Sequence, residues 1–96
     1  MSQAYESLVA AERLLADPAQ ARLAALDALR ALLEEWSVEP RGDSVVGLLE
    51  QAAETDQTLL DFRAEAAVLD RFPDEPDAAE RAKIFVDAAR ARMVNI

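Results

Sequence analysis

Residues 24–36 read Ala24-Ala25-Leu26-Asp27-Ala28-Leu29-Arg30-Ala31-Leu32-Leu33-Glu34-Glu35-Trp36, and their spacing decides the fold class. Leu26, Leu29, Leu33 and Trp36 recur at the helical period and form a single apolar seam. Leu23 and Leu32 widen it. Upstream, Asp17 is a good N-cap and Pro18 suits the first helical position, where its missing N–H costs nothing. Together these signals predict a long helix over 18–36.

Working outward, residues 4–15 form a first helix, with Ser2 as its cap and Tyr5, Leu8, Ala11, Glu12 and Leu15 along one face. The segment 37–43 holds Pro40 and Gly42 and is the clearest loop. Asp43 or Ser44 caps a third helix to about Glu54 that buries Val45, Leu48, Leu49 and Ala52. Thr55-Asp56 interrupts the pattern, and a fourth helix over 57–69 places Leu59, Phe62, Ala66 and Leu69 at helical spacing. The stretch 70–76 carries Pro73 and Pro76 and cannot stay helical. Asp77 caps a last helix to about Val94, with Ala78, Ala82, Phe85, Ala89 and Met93 inward. Short loops between amphipathic helices imply one all-α domain over 1–96, an antiparallel up-and-down bundle of four or five helices.

Composition agrees. Of 96 residues, 21 are Ala and 13 Leu, Gly occurs twice, and aromatics make up 5%; the leading types are strong helix formers. A domain this small hides only roughly 60–65% of its unfolded surface, so its stability is narrow or completed by a partner. There is no Cys and no His, which removes disulfides, zinc sites, thiol nucleophiles and imidazole bases. Nineteen acidic against ten basic side chains give a net charge of −9, which opposes binding to DNA and disfavours RNA. No apolar run spans a membrane and the first residues lack a signal-peptide pattern, so a cytoplasmic location is expected.

Chemistry is scarce. Asp70, Asp74, Glu75 and Asp77 cluster around the proline turn, and a hard cation binds such oxygens, which makes a magnesium-dependent phosphate-ester hydrolase one alternative. Yet the chain has no calcium-loop motif, no Glu-x-x-His and no Gly-rich phosphate loop, and no metal or cofactor is implied. The serines have no base to activate them, and Lys83, four residues before Asp87, reads as half of a surface pair. Arg71 has two readings. It complements the dipole at a helix C-terminus, with Phe72 packed under the turn, or it projects toward a phosphate or a partner carboxylate. Val9, Leu14, Leu32, Leu60 and Val68 lie off the main seams, and Trp36 closes a helix at a loop edge, so some of these face a partner.

The order of segments resembles HEPN domains, small helical bundles of prokaryotic toxin–antitoxin and nucleotidyltransferase-linked systems. Ala10-Ala11-Glu12-Arg13-Leu14-Leu15-Ala16-Asp17 looks like that family's first helix, and 24–34 like its second. Residues 43–50 stand where the family has Thr-His-Asp-Leu and a short apolar helix, and Asp70-Arg71-Phe72-Pro73-Asp74 is similar to the Arg-Tyr-Pro-Asp step before its closing helix. The family's ribonuclease members follow an arginine with a histidine a few residues on. Pro76, Asp77 and Ala78 stand where that histidine would follow Arg71. The resemblance therefore implies the fold and a homodimer without the nuclease, and a role in binding a nucleotidyltransferase-like regulatory protein or a nucleotide-like ligand. Arg71, Phe72, Asp74, Trp36 and Leu60 are the expected contacts. A second alternative is an acidic adaptor or antitoxin that masks a basic partner.

Overall fold

The computed structural model describes residues 3–93 and is all-α, a bundle of five helices with no strand among those residues. The helices are α1 (Gln3–Leu14), α2 (Ala21–Glu35), α3 (Val45–Ala53), α4 (Arg63–Arg71) and α5 (Ala78–Met93). Short 3-10 segments, Pro18–Gln20 and Gln57–Phe62, lead into α2 and α4. The expected Ser2 cap and the expected end of the last helix at Val94 lie outside the described residues. No helix among those described is long and apolar enough to cross a membrane.

Helix α2 is the axis, packed most closely against α1 and α5 and also against α3. Its seam Leu26, Leu29, Leu33 is buried as expected, but a second line through Ala21, Ala25, Ala28 and Leu32 is buried too. Leu32, expected both to widen the seam and among the off-seam residues, is core, because α2 has neighbours on both sides. Leu23 shares its helical face with Asp27, Arg30 and Glu34 and is 40% exposed instead of widening the seam. In α1 the inward line is Ala4, Leu8 and Ala11, and Tyr5 is exposed. Small Ala4 allows α1 to lie close to its neighbour where Tyr5 would not. Fourteen of the buried apolar residues are Ala, so apolar transfer per residue is modest and polar contacts between helices carry unusual weight.

The expected continuous helix over 57–69 is two pieces. Asp56 caps the first by accepting the Thr58 N–H at 3.1 Å and the Thr58 hydroxyl at 2.5 Å. The tighter 3-10 winding aligns residues three apart, which turns Leu59 and Phe62 to the same side. Leu59 is buried and Phe62 meets Phe85 edge-on, ring centroids 6.3 Å apart. Arg92 of α5 closes this corner, donating from Nε to Asp56 at 2.6 Å and from Nη2 to Thr58 at 2.9 Å. These hydrogen bonds, from Thr58 first and Arg92 second, hold the Asp56 carboxyl below its ordinary value of 3.8.

Helix α2 ends in a Schellman motif: the Ser37 N–H donates to Glu34 at 3.0 Å and the Val38 N–H to Leu33 at 2.8 Å. Ser37 adopts a φ of 59°, a left-handed position that glycine usually fills. The loop beyond it is pinned by Gln51, a buried polar side chain of α3, which accepts from the Arg41 N–H at 3.0 Å and donates to the Glu39 carbonyl at 2.7 Å.

Ser44 is the local cap of α3, its Oγ accepting from the Gly47 N–H at 2.9 Å. A second cap comes from a distant helix. Asp70, expected in a loop, lies in the last turn of α4, which runs two residues further than its apolar pattern. Its Oδ1 accepts the Val45 N–H and its Oδ2 the Val46 N–H, both at 2.9 Å. Arg22 of α2 binds the same carboxylate through Nε at 3.0 Å and reaches the Asp43 carbonyl through Nη2 at 3.1 Å. One side chain thus joins α2, α3 and α4.

Asp70→Ala removes a cap and an arginine's partner together and should destabilise the chain by about 2–3 kcal/mol in urea unfolding; a loss under about 0.5 kcal/mol, within ordinary surface noise, would contradict the clamp. Ser37→Gly should stabilise by about 0.5–1 kcal/mol, because relief of the left-handed Cβ outweighs the added backbone entropy. An unchanged or lowered melting temperature would mean the serine is not strained. Because the Asp56 carboxyl is held below 3.8, its contribution is complete above that pH and disappears as pH falls through the lowered value. The unfolding midpoints of wild type and Asp56→Asn should therefore differ at pH 7 and converge on acidification; a gap constant with pH would refute this.

Candidate functional site

The clamp on Asp70 determines how the chain leaves α4. With the Asp70 carboxylate held against α3, the next residue of the same helix is turned about 100° away, and Arg71 is exposed. The Phe72 N–H closes α4 on the Val68 carbonyl at 2.7 Å. Pro73 then prevents the helix from continuing. Two turns, the Glu75 N–H on Phe72 at 3.3 Å and the Ala78 N–H on Glu75 at 2.9 Å, deliver the chain to α5. Arg71, Phe72, Pro73, Asp74 and Glu75 line one open depression of about 290 Å³.

Phe72 is 49% exposed, so it does not pack under the turn as one reading required. Instead the Arg71 guanidinium carbon stands 5.7 Å from its ring centroid, the range of a cation–π contact. Among the described residues, eight of the ten cations form ion pairs, the exceptions being Arg13 and Arg71. Arg71 forms none, although Asp74 and Glu75 share its depression, and those two carboxylates are likewise free of ion pairs among the described residues. The turn therefore presents a cation, an aromatic ring and two carboxylates, all available to another molecule.

The remaining expected contacts stand apart from this turn. Leu60 is 46% exposed on the 3-10 segment before α4. Trp36 is the half-buried C-cap of α2 and packs against the core. Neither lines the depression. Beside Trp36 lies a larger concavity of about 540 Å³ whose lining includes Glu34, Glu35 and Glu39 together with Val38 and Pro40. Sequence reasoning placed the tryptophan at this edge and missed the acidic wall; two glutamates before a Pro-containing loop and one within it were its only signal. Of the off-seam residues, Val9, Leu14 and Val68 are half-buried.

The carboxylates of residues 70–77 do not converge. Asp70 faces α3, and Asp77 binds Arg81 at 2.7 Å. Arg81 also reaches Glu65 of α4 at 3.1 Å. Asp77 directly precedes α5, its carbonyl accepting the Arg81 N–H at 3.1 Å. Among the described residues no group of three or more acidic side chains is placed to hold a metal ion. Lys83 and Asp87 pair at 3.0 Å on the surface of α5.

Comparison with family models, curated proteins and solved structures yields no match.

Proposed function

We propose that this chain is a non-catalytic interaction module, an antiparallel HEPN-like bundle that works as a homodimer and holds a regulatory, nucleotidyltransferase-like protein. The observation that carries this reading is Arg71, which among the described residues has no ion pair and lies over an exposed ring, in a chain that pairs most of its cations. A planar guanidinium in that state is suited to a carboxylate or phosphate on another molecule. The turn contributes Arg71, Phe72 and Asp74 to the contact, while exposed Leu60 and the edge of Trp36 add apolar surface elsewhere. The sequence offers no acid/base group of imidazole type, which fits recognition better than turnover.

A second reading, an acidic adaptor that masks a basic partner, is favoured by the net charge of −9 and by the three-glutamate concavity. Salt separates the two, because exposed charges are screened within roughly 10 Å at 0.1 M. Arg71 makes no ion pair among the described residues, so Arg71→Ala should leave the melting temperature within about 2 °C while weakening retention of the partner. Retention of a nucleotidyltransferase-like protein from native lysate at moderate salt, reduced by Arg71→Ala, is the expected outcome. Capture of basic proteins alone, lost as salt rises and indifferent to Arg71, would establish the adaptor instead. A large drop in melting temperature with retention intact would return Arg71 to a structural role.

A further inference from the structure

We infer that Thr58 is a phosphoryl acceptor, a hydroxyl set for modification by an ATP-dependent kinase. Its hydroxyl donates to Asp56 Oδ1 at 2.5 Å and accepts from Arg92 Nη2 at 2.9 Å, and the residue is exposed. Arg92 in turn holds the other Asp56 oxygen through Nε at 2.6 Å. A capping turn needs only the bond from the Thr58 N–H to Asp56, present at 3.1 Å; the hydroxyl and guanidinium contacts go beyond it. A nucleophile bonded to a base, with the base oriented by a third group, is the arrangement that activates a hydroxyl. Among the described residues no other serine or threonine hydroxyl donates to a carboxylate.

Thr58 Oγ1 attacks the γ-phosphorus of ATP, the bond from that phosphorus to the bridging oxygen breaks, and ADP leaves. The hydroxyl proton passes to Asp56, and the Arg92 fork meets the charge that gathers on the phosphoryl oxygens. The product sets a phosphate of about −1.5 to −2 charge between Asp56 and Arg92. Like charge then pushes Asp56 off the segment it caps, while Arg92 moves its bonds to the phosphate. Exposed Leu60 stands two residues along the same 3-10 segment. Phosphorylation therefore releases the partner, a consequence that rests on the interaction-module reading.

The test incubates the full chain with γ-labelled ATP, magnesium and native lysate as the kinase source, and locates the label by peptide mass. Thr58 should carry it. Thr55, an exposed hydroxyl three residues away with no hydrogen bond to a carboxylate among the described residues, should not. Thr58→Ser should keep the labelling and Thr58→Val abolish it. Asp56→Asn, assayed well below its own unfolding midpoint, should slow it about tenfold or more. Equal label on Thr55, no label on Thr58, or a rate indifferent to Asp56→Asn overturns the acceptor. A labelled chain that retains the partner as firmly as the unlabelled one overturns the release. Whether the unlabelled chain retains that partner decides the interaction-module reading separately.

Discussion

A single carboxylate, that of Asp70, organises this small bundle. It stands across the N-terminus of α3, where two successive backbone N–H groups have no partner within their own helix, and it accepts from both while Arg22 approaches from α2. Anionic oxygen at a helix N-terminus is favourable both as a hydrogen-bond acceptor and as a charge in the positive end of the helix dipole. Here the acceptor lies on the last turn of α4, so capping one helix also fixes the end of another. With its side chain only 20% exposed, the carboxylate is shielded enough for these bonds to matter and open enough that the ion pair is not a deep desolvation cost. The orientation of Arg71 is a consequence of this: the helix cannot turn one side chain inward at Asp70 without turning its neighbour out.

Such polar ties matter because the core is made of small residues. Alanines on α1, α2 and α5 bring helices close and contribute little transfer energy each. Arginine then links the elements: Arg81 joins α5 to Glu65 of α4, Arg90 joins it to Glu12 of α1, and Arg92 joins it to Asp56 and Thr58. A forked guanidinium can hold two partners at once, as Arg81 does with Glu65 and Asp77, though its buried Nε finds no acceptor among the described residues. Exposed pairs such as Arg41 with Glu54 contribute little, whereas the half-buried Arg92 and Asp56 are held by several bonds together.

The sequence made legible the features that depend on neighbours along the chain. The seam of α2, the Ser44 cap, the inward line of α3 and the pair of Lys83 with Asp87 all involve residues at most four apart or repeated at one period. The features it hid depend on partners far along the chain. Asp70 caps residues 24 and 25 positions away, and no local pattern announces that. Of the two residues the spacing allowed to widen the α2 seam, Leu32 is core and Leu23 exposed, because the neighbours on either side of α2 decide which flank is covered. The 3-10 segment over 57–62 is helical in period but tightened by the Asp56 cap and by the fit of Phe62 on Phe85. At the candidate site, sequence order placed Arg71, Phe72 and Asp74 together, but Phe72 had two outcomes, and only the packing decided for exposure.

The balance of charge gives the turn its distinct character. Pairing among the described residues consumes eight of the ten cations, and with nineteen acidic side chains the charge left unpaired is mostly carboxylate. On such a surface a free guanidinium is locally the odd sign, and its field is muted at a distance by the acids around it. It therefore cannot steer a partner from afar as a basic patch does. Its influence is confined to contact range, where a stacked ring and two nearby carboxylates determine what can approach. A group of that kind acts by matched geometry more than by long-range charge, which is why the proposed contact is placed at this turn.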